Sequence, residues 1–163
     1  MPADFSSIQK RIQMSYTISI GCDHAGLELA KELSVGLFDI GHNINSFFPA
    51  LNTRVDYPDY AFKTCSSVTL DSHTISRGIL VCGSGVGMAI AANRNSGIRC
   101  VNTIDPEIVK IAREHNDVNV LALGARFISD KEQLWKCVTT FLDTKYEGGR
   151  HEQRVMKLFG VYK

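Results

Sequence analysis

The segment Val81-Cys82-Gly83-Ser84-Gly85-Val86-Gly87 sets a thiol at the end of an apolar run and follows it with a glycine-rich turn. Such a turn presents backbone N–H groups, and a helix opening after it adds partial positive charge at its N-terminus. Both favour a nearby anion, whether a thiolate or a substrate oxyanion, the helix end by roughly 0.3–2 kcal/mol. A cysteine so placed suits general-base work. On position alone, Cys82 reads equally well as a small buried hydrophobe, the common fate of cysteines. A dinucleotide loop is the rival functional reading. It requires G-x-G-x-x-G, and Met88 stands where the last glycine belongs, although Asp105 lies at a suitable distance for a ribose contact.

Three other segments carry candidate chemistry. Gly21-Cys22-Asp23-His24 places an acid and an imidazole at a strand end, where they can bind sugar hydroxyls and phosphate or, more simply, where Asp23 caps a helix. Adjacent residues do not easily share one tetrahedral centre, so no metal site is expected there. Arg113-Glu114-His115-Asn116-Asp117 closes a helix. His115 is there either an acid–base group near neutral pH or a solvated histidine favoured by the helix C-terminus. Gly124-Ala125-Arg126 and Gly148-Gly149-Arg150-His151-Glu152-Gln153-Arg154 supply guanidinium forks. Arg150 and Arg154, four apart, share a helix face and match phosphate oxygens, or form an ordinary solvated basic face. His42, His73, Cys65 and Cys137 read as structural or surface residues.

The elements that position these residues alternate. Strands are expected at Tyr16–Ile20, Asn43–Phe48, Gly78–Cys82, Ile98–Thr103 and Val118–Leu123. Helices are expected at Ala25–Gly36, Pro58–Leu70, Val86–Asn95, Pro106–His115, Asp130–Leu142 and Glu147–Phe159, with Pro58 in a first turn and aspartates at caps. Regular alternation implies an α/β fold: a single three-layer α/β/α sandwich around a five-stranded parallel sheet, Rossmann-like and doubly wound. Ligands of such sheets sit beyond the carboxyl ends of the strands. Gly21–His24, Cys82–Gly87, Asp105 and Gly124–Arg126 all follow directly on a strand.

The bulk numbers permit this. The chain has 163 residues, 44% apolar and 21% charged, with a formal charge of +1. That suits one globular domain and supplies no overall field to collect nucleic acid or a membrane. The five cysteines are odd in number and widely spaced, which speaks against a disulfide framework or structural zinc and for reduced thiols in a cytoplasm. No apolar run is long enough to span a bilayer. Residues 1–15 read as a polar or disordered extension, and residues 16–163 as the domain.

Taken together, the motifs resemble the ribose-5-phosphate isomerase B family, which also includes galactose-6-phosphate isomerase subunits. The resemblance runs from Tyr16 to Val155. It rests on Gly21-Cys22-Asp23-His24, Val55-Asp56-Tyr57-Pro58, the Val81–Gly87 loop, Ala91-Ala92-Asn93, His115-Asn116-Asp117 and Tyr146-Glu147-Gly148-Gly149-Arg150-His151, in the family's order. One branch of the family lacks the cysteine and carries a glutamate after the loop's last glycine. Met88 at that position, with Cys82 present, aligns this chain with the cysteine-using branch. Glu107 and Cys100 depart from the family pattern and bear on local packing.

The resemblance implies aldose–ketose isomerisation of ribose 5-phosphate and ribulose 5-phosphate, or of a six-carbon sugar 6-phosphate. It assigns Cys82 as the base and Ser84 as a neighbour of the developing oxyanion. Gly83, Gly85 and Gly87 form the loop whose amides line that hole. His115 opens the sugar ring and Asn116 helps hold the enediolate. Asp23, Asp56 and Tyr57 fall at sugar-contacting positions. His24, Arg126, Arg150, Arg154 and His151 fall at phosphate-contacting ones. It further implies a homodimer or homotetramer with the site between subunits, and no metal or organic cofactor.

Overall fold

The computed structural model describes residues 15–69 and 76–159. The proposed extension lies outside these residues but for Ser15, as do Leu70 and His73. Strand β1 (Thr17–Cys22) is followed by helix α1 (Leu27–Asp39), β2 (Asn43–Phe47), α2 (Tyr57–Thr69), β3 (Ser76–Cys82) and α3 (Val86–Ala92). Then come β4 (Cys100–Asn102), α4 (Pro106–Asn116), β5 (Val120–Gly124), α5 (Lys131–Asp143) and α6 (Glu152–Phe159). The five strands are parallel and ordered β2-β1-β3-β5-β4.

The central strands are buried on both faces, which is why β3 and β5 read as nearly unbroken apolar runs. On one face α1, α4 and α5 pack Leu33, Val109 and Phe141 against Ile18, Ile20 and Leu121. On the other, α2 and α3 pack Ala61, Cys65 and Met88 against Leu80 and Val120. The three-layer sandwich expected from the alternation is therefore the fold. Caps set several boundaries. Asp105 accepts from the Glu107 N–H at 2.9 Å ahead of Pro106, and Asp130 accepts from the N–H groups of Glu132 and Gln133 at 2.9 and 3.2 Å. Asp105 is thereby engaged as a helix cap.

Two boundaries differ from expectation. The helix after the glycine loop stops at Ala92, not Asn95, because Asn93 brackets the backbone of Cys100 with both ends of its amide, at 2.8 and 3.0 Å. The last helix begins at Glu152, not Glu147. Gly148 and Gly149 have φ of 64° and 55°, incompatible with a right-handed helix, and a single 3-10 turn, Gly149–His151, intervenes.

The chain leaves β1 toward β2 and returns to β3 on the other side of β1. The reversal opens a crevice between the carboxyl ends of β1 and β3. Asp23 follows the first of these strands and Cys82 ends the second, and the Asp23 N–H donates to the Val81 carbonyl at 3.2 Å across the gap.

Candidate active site

Cys82 is 5% exposed at the floor of a cleft of about 230 Å³, whose lining includes Asp23, His24, Tyr57, Ser84 and Arg126. The Gly85 N–H donates to its Sγ at 3.1 Å. Gly85 can do this because its φ is 79°, a conformation that L side chains rarely adopt. A Cβ there would also meet the Asn102 side chain at 2.4 Å and the Leu123 carbonyl carbon at 2.9 Å. The glycine at 87 has a different reason: a Cβ would strike the Tyr57 ring at 2.8 Å, so its absence lets that ring wall the cleft.

The other cleft residues arrive from neighbouring strands. Arg126 follows β5, its N–H donates to the Gly83 carbonyl at 3.1 Å, and its guanidinium lies over Gly83. Asp23 accepts from the N–H groups of Ala25 and Gly26 at 2.9 and 3.0 Å, so it caps the turn before α1 while also lining the cleft. The His24 Nδ1 accepts from the Val55 N–H at 3.4 Å, which leaves Nε2 available to a ligand. Asp56 lines an adjoining cavity of about 500 Å³ together with His24, Arg54 and Lys63. Asn102, which nothing in the sequence singled out, braces the loop from below. With its amide oriented to satisfy both groups, it donates to the Ala122 carbonyl at 3.0 Å and accepts from the Val86 N–H at 3.1 Å.

The thiols are not equivalent. None of the five cysteines is in a disulfide. Burial pushes Cys22 and Cys65 up to about 12 and Cys137 up to about 11, and it raises Cys100 as well. These four are held as neutral thiols. Cys82 alone among them combines a backbone amide on its sulfur with a place in the cleft.

His115, Asn116, Arg150, His151 and Arg154 do not reach this cleft. They form a second cluster. The His115 and His151 rings stack at 4.1 Å with planes 10° apart. Glu147 Oε2 lies 3.9 Å from His115 Nε2 and 3.5 Å from His151 Nε2, and the Glu147 N–H donates to the Glu114 carbonyl at 3.1 Å. Burial first, then the charges of His115 and Arg150, hold His151 below the usual imidazole range, and Arg154 adds to this. The donor atoms of His115, Glu147 and His151 lie within 4.8 Å of one another. Yet imidazole lone pairs lie in the ring plane, and two parallel rings do not converge on one centre, so this arrangement is not a coordination site.

The separation of the two clusters follows from topology. In a parallel sheet with crossover helices, each helix ends level with the amino ends of the strands. His115 lies in the last turn of α4, and three residues beyond that helix the Asn119 carbonyl accepts from the Gly78 N–H at 2.9 Å. From the Gly78–Val120 rung to the Cys82–Gly124 rung is four residues, about 13 Å of strand. His115 lies below the first rung and Cys82 ends the second.

A thiol and a glycine-rich loop thus lie at the switch point of a parallel sheet, a histidine–arginine cluster lies elsewhere on the chain, and Met88 and the capping Asp105 leave the loop without the marks of a dinucleotide site. Residues 18–158 match the family model described as Ribose/Galactose Isomerase, and the chain belongs to that family. It is 41% identical over 144 residues to the ribose-5-phosphate isomerase B of Escherichia coli, covering 88% of this chain and 95% of that one. Among solved structures it resembles ribose-5-phosphate isomerase B from Mycoplasma genitalium with bound ribulose-5-phosphate, at 38% identity and a TM-score of 0.82, covering 90% of this chain and 96% of that one. The enzyme of Anaplasma phagocytophilum is equally similar, at 39% identity and a TM-score of 0.82 over 88% of this chain and 97% of that one.

Proposed function

We propose that this chain, through a single domain spanning residues 16–163, interconverts ribose 5-phosphate and ribulose 5-phosphate at a site that two copies complete. The observation that carries the proposal is the division just described. The cleft holds a base, Cys82, with Ser84 and the loop amides beside it, and sugar-binding groups Asp23 and Tyr57. The ring-opening His115, Asn116 that helps hold the enediolate, and the phosphate anchors Arg150, His151 and Arg154 lie at the other end of the sheet. One copy cannot bring them together, whereas two copies related by a twofold axis supply two complete sites.

The exposed surface supports such pairing. Val86 and Ile90 on α3 and Phe62 on α2 are 51%, 56% and 42% exposed beside the cleft, and Met156, Leu158 and Phe159 are 61%, 62% and 46% exposed on the arginine-bearing helix. Two apolar patches, each next to half a site, are a basis for association.

In this reading the phosphate is held by His24 and Arg126 of one copy and by the arginines of the other, and that binding energy orients the reacting carbons. His115 transfers a proton as the C1–O4 bond breaks and C1 becomes a carbonyl. Cys82 Sγ removes the C2 proton. The enediolate oxygen is stabilised by the loop amides and Ser84; the O2 hydroxyl proton passes to O1 as the carbon proton returns to C1, and C2 becomes the carbonyl. Five cysteines outside any disulfide support a reducing, cytoplasmic setting. Among the described residues, no helix is long and apolar enough to cross a membrane.

An isomerase assay with ribose 5-phosphate in the presence of a chelator tests the proposal, and turnover is expected. The cavity beyond His24 extends the cleft toward Arg54 and Lys63, so the same assay includes galactose 6-phosphate and allose 6-phosphate. A higher catalytic efficiency on either would assign the six-carbon class instead.

A further inference from the structure

Three guanidiniums crowd one carboxylate beside His115. Arg113 is 2% exposed, and Arg77 and Arg99 are held below the usual guanidinium range, chiefly by burial; the charge of Arg113 adds to this at both, and that of Arg99 at Arg77. Asp117 is the acid they share. Arg99 Nη2 donates to its Oδ2 at 2.8 Å and Arg113 Nη1 to its Oδ1 at 2.9 Å, so each oxygen is taken by a different arginine. Arg99 Nε also donates to the carbonyls of Asn116 at 3.1 Å and Asp117 at 2.7 Å. Arg113 further donates to the carbonyls of Val118 and Thr144. Asp117 itself sits at φ 47°, ψ 47°, one of two non-glycine residues with positive φ among those described.

A residue other than glycine in this conformation is held there by its surroundings. Here the surroundings are the two arginines, and the segment they fix is His115–Asn116. The burial of Arg113 and the engagement of three successive carbonyls exceed what a helix needs to end, since a glycine at this position would end it with no clamp at all.

We infer that Asp117, gripped by Arg99 and Arg113, is a positioning residue that sets the backbone from which His115 and Asn116 reach the sugar. The inference rests on the reading of His115 as the ring-opening group. Asp117 touches no substrate. It acts by holding the helix end, with Arg99 on the Asn116 carbonyl as the direct link.

Ring opening can be separated from proton transfer. Ribose 5-phosphate is cyclic and must open. Ribulose 5-phosphate is acyclic, because its 5-oxygen carries the phosphate. Deuterium incorporation from D2O at C1 of ribulose 5-phosphate, followed by NMR, therefore reports Cys82 chemistry without ring opening. Isomerisation of ribose 5-phosphate reports both.

Asp117→Asn keeps a side chain that tolerates positive φ while removing the charge and one acceptor. We expect it to lower turnover of ribose 5-phosphate at least tenfold and C1 exchange several-fold less, because exchange keeps Cys82 and needs no ring opening but still draws on the Asn116 contact to the enediolate; His115→Ala splits the two reactions in the same direction. Should His115→Ala show the split while Asp117→Asn runs at parental rates, or loses both reactions together, the inference is overturned and the ring-opening reading stands. If His115→Ala itself loses exchange as fully as isomerisation, the ring-opening reading fails and this inference with it. Arg99→Lys covers the case in which Asp117→Asn does not fold. It keeps the charge, loses the Nε bonds to both carbonyls, and is held to the same outcomes.

Discussion

The Gly85 N–H points at the Cys82 sulfur across 3.1 Å, and Gly85 does so from a backbone conformation with φ of 79°. One loop therefore carries both the thiol and the amide that donates to it. Geometry and chemistry are joined in these two residues, and substitutions there have distinct expected outcomes.

Cys82→Ala removes the proton acceptor and little else, since the side chain is small. A fall in kcat of about 10²–10⁴-fold is expected, with an unchanged circular dichroism spectrum and a melting temperature within a few degrees. Activity near the parental level would remove Cys82 from the mechanism.

Gly85→Ala tests the loop instead of the thiol. The added Cβ meets Asn102 and the backbone at Leu123, and the strained φ costs about 1–3 kcal/mol. Both a lower denaturation midpoint and a loss of kcat are expected. Normal turnover with lowered stability would show that the amide on sulfur is dispensable.

Mixing separates a composite site from a self-contained one. Cys82→Ala and His115→Ala proteins, each inactive alone, are unfolded together and refolded. In a twofold dimer, half the molecules pair unlike chains, and each of these carries one intact site of two, so roughly a quarter of parental activity returns. No recovery, with mixed dimers demonstrated by mass spectrometry, would place both residues in one chain's site.

Arg150→Ala and Arg154→Ala are expected to raise KM for ribose 5-phosphate more than they lower kcat, as loss of uniform phosphate binding does. The reverse pattern in steady-state kinetics would assign these arginines to the transition state.

Acid stability follows from two histidines. His42 is 2% exposed, its Nδ1 accepts from the Tyr16 N–H at 3.2 Å, and burial holds it below the usual imidazole range. His151 is shifted the same way. A base whose pKa is lowered by folding binds its proton more readily when unfolded. Its stabilisation is therefore complete above the unfolded value of about 6.5 and is lost as pH falls through the folded value. Thermal melting at pH 7.5 and pH 5.5 should show a lower midpoint at the acid end. His42→Asn, whose Oδ1 can take the Tyr16 N–H, should flatten that difference.

The glycine loop was legible because its constraints are local. A cysteine at a strand end, a turn needing positive φ and a helix start are all written in seven consecutive residues. The alternating elements were legible for the same kind of reason, since β3 and β5 are buried on both faces and their apolar runs are short and bounded. The end of α3 was not, because Asn93 stops it by reaching seven residues ahead to Cys100. Asn102 and Asp117 carried no local signal of what they hold, because their partners come from other strands and helices.

What this sequence determined by itself is the class of fold and the types of chemical group, through periodicity, caps and motif spacing that act over a few residues. The tertiary structure alone decided which groups meet. It set Asp23, Cys82 and Arg126 around one crevice, because β1, β3 and β5 are neighbours in the sheet though distant in the chain. It also carried His115 to the opposite end, because a crossover helix runs antiparallel to the strands it connects.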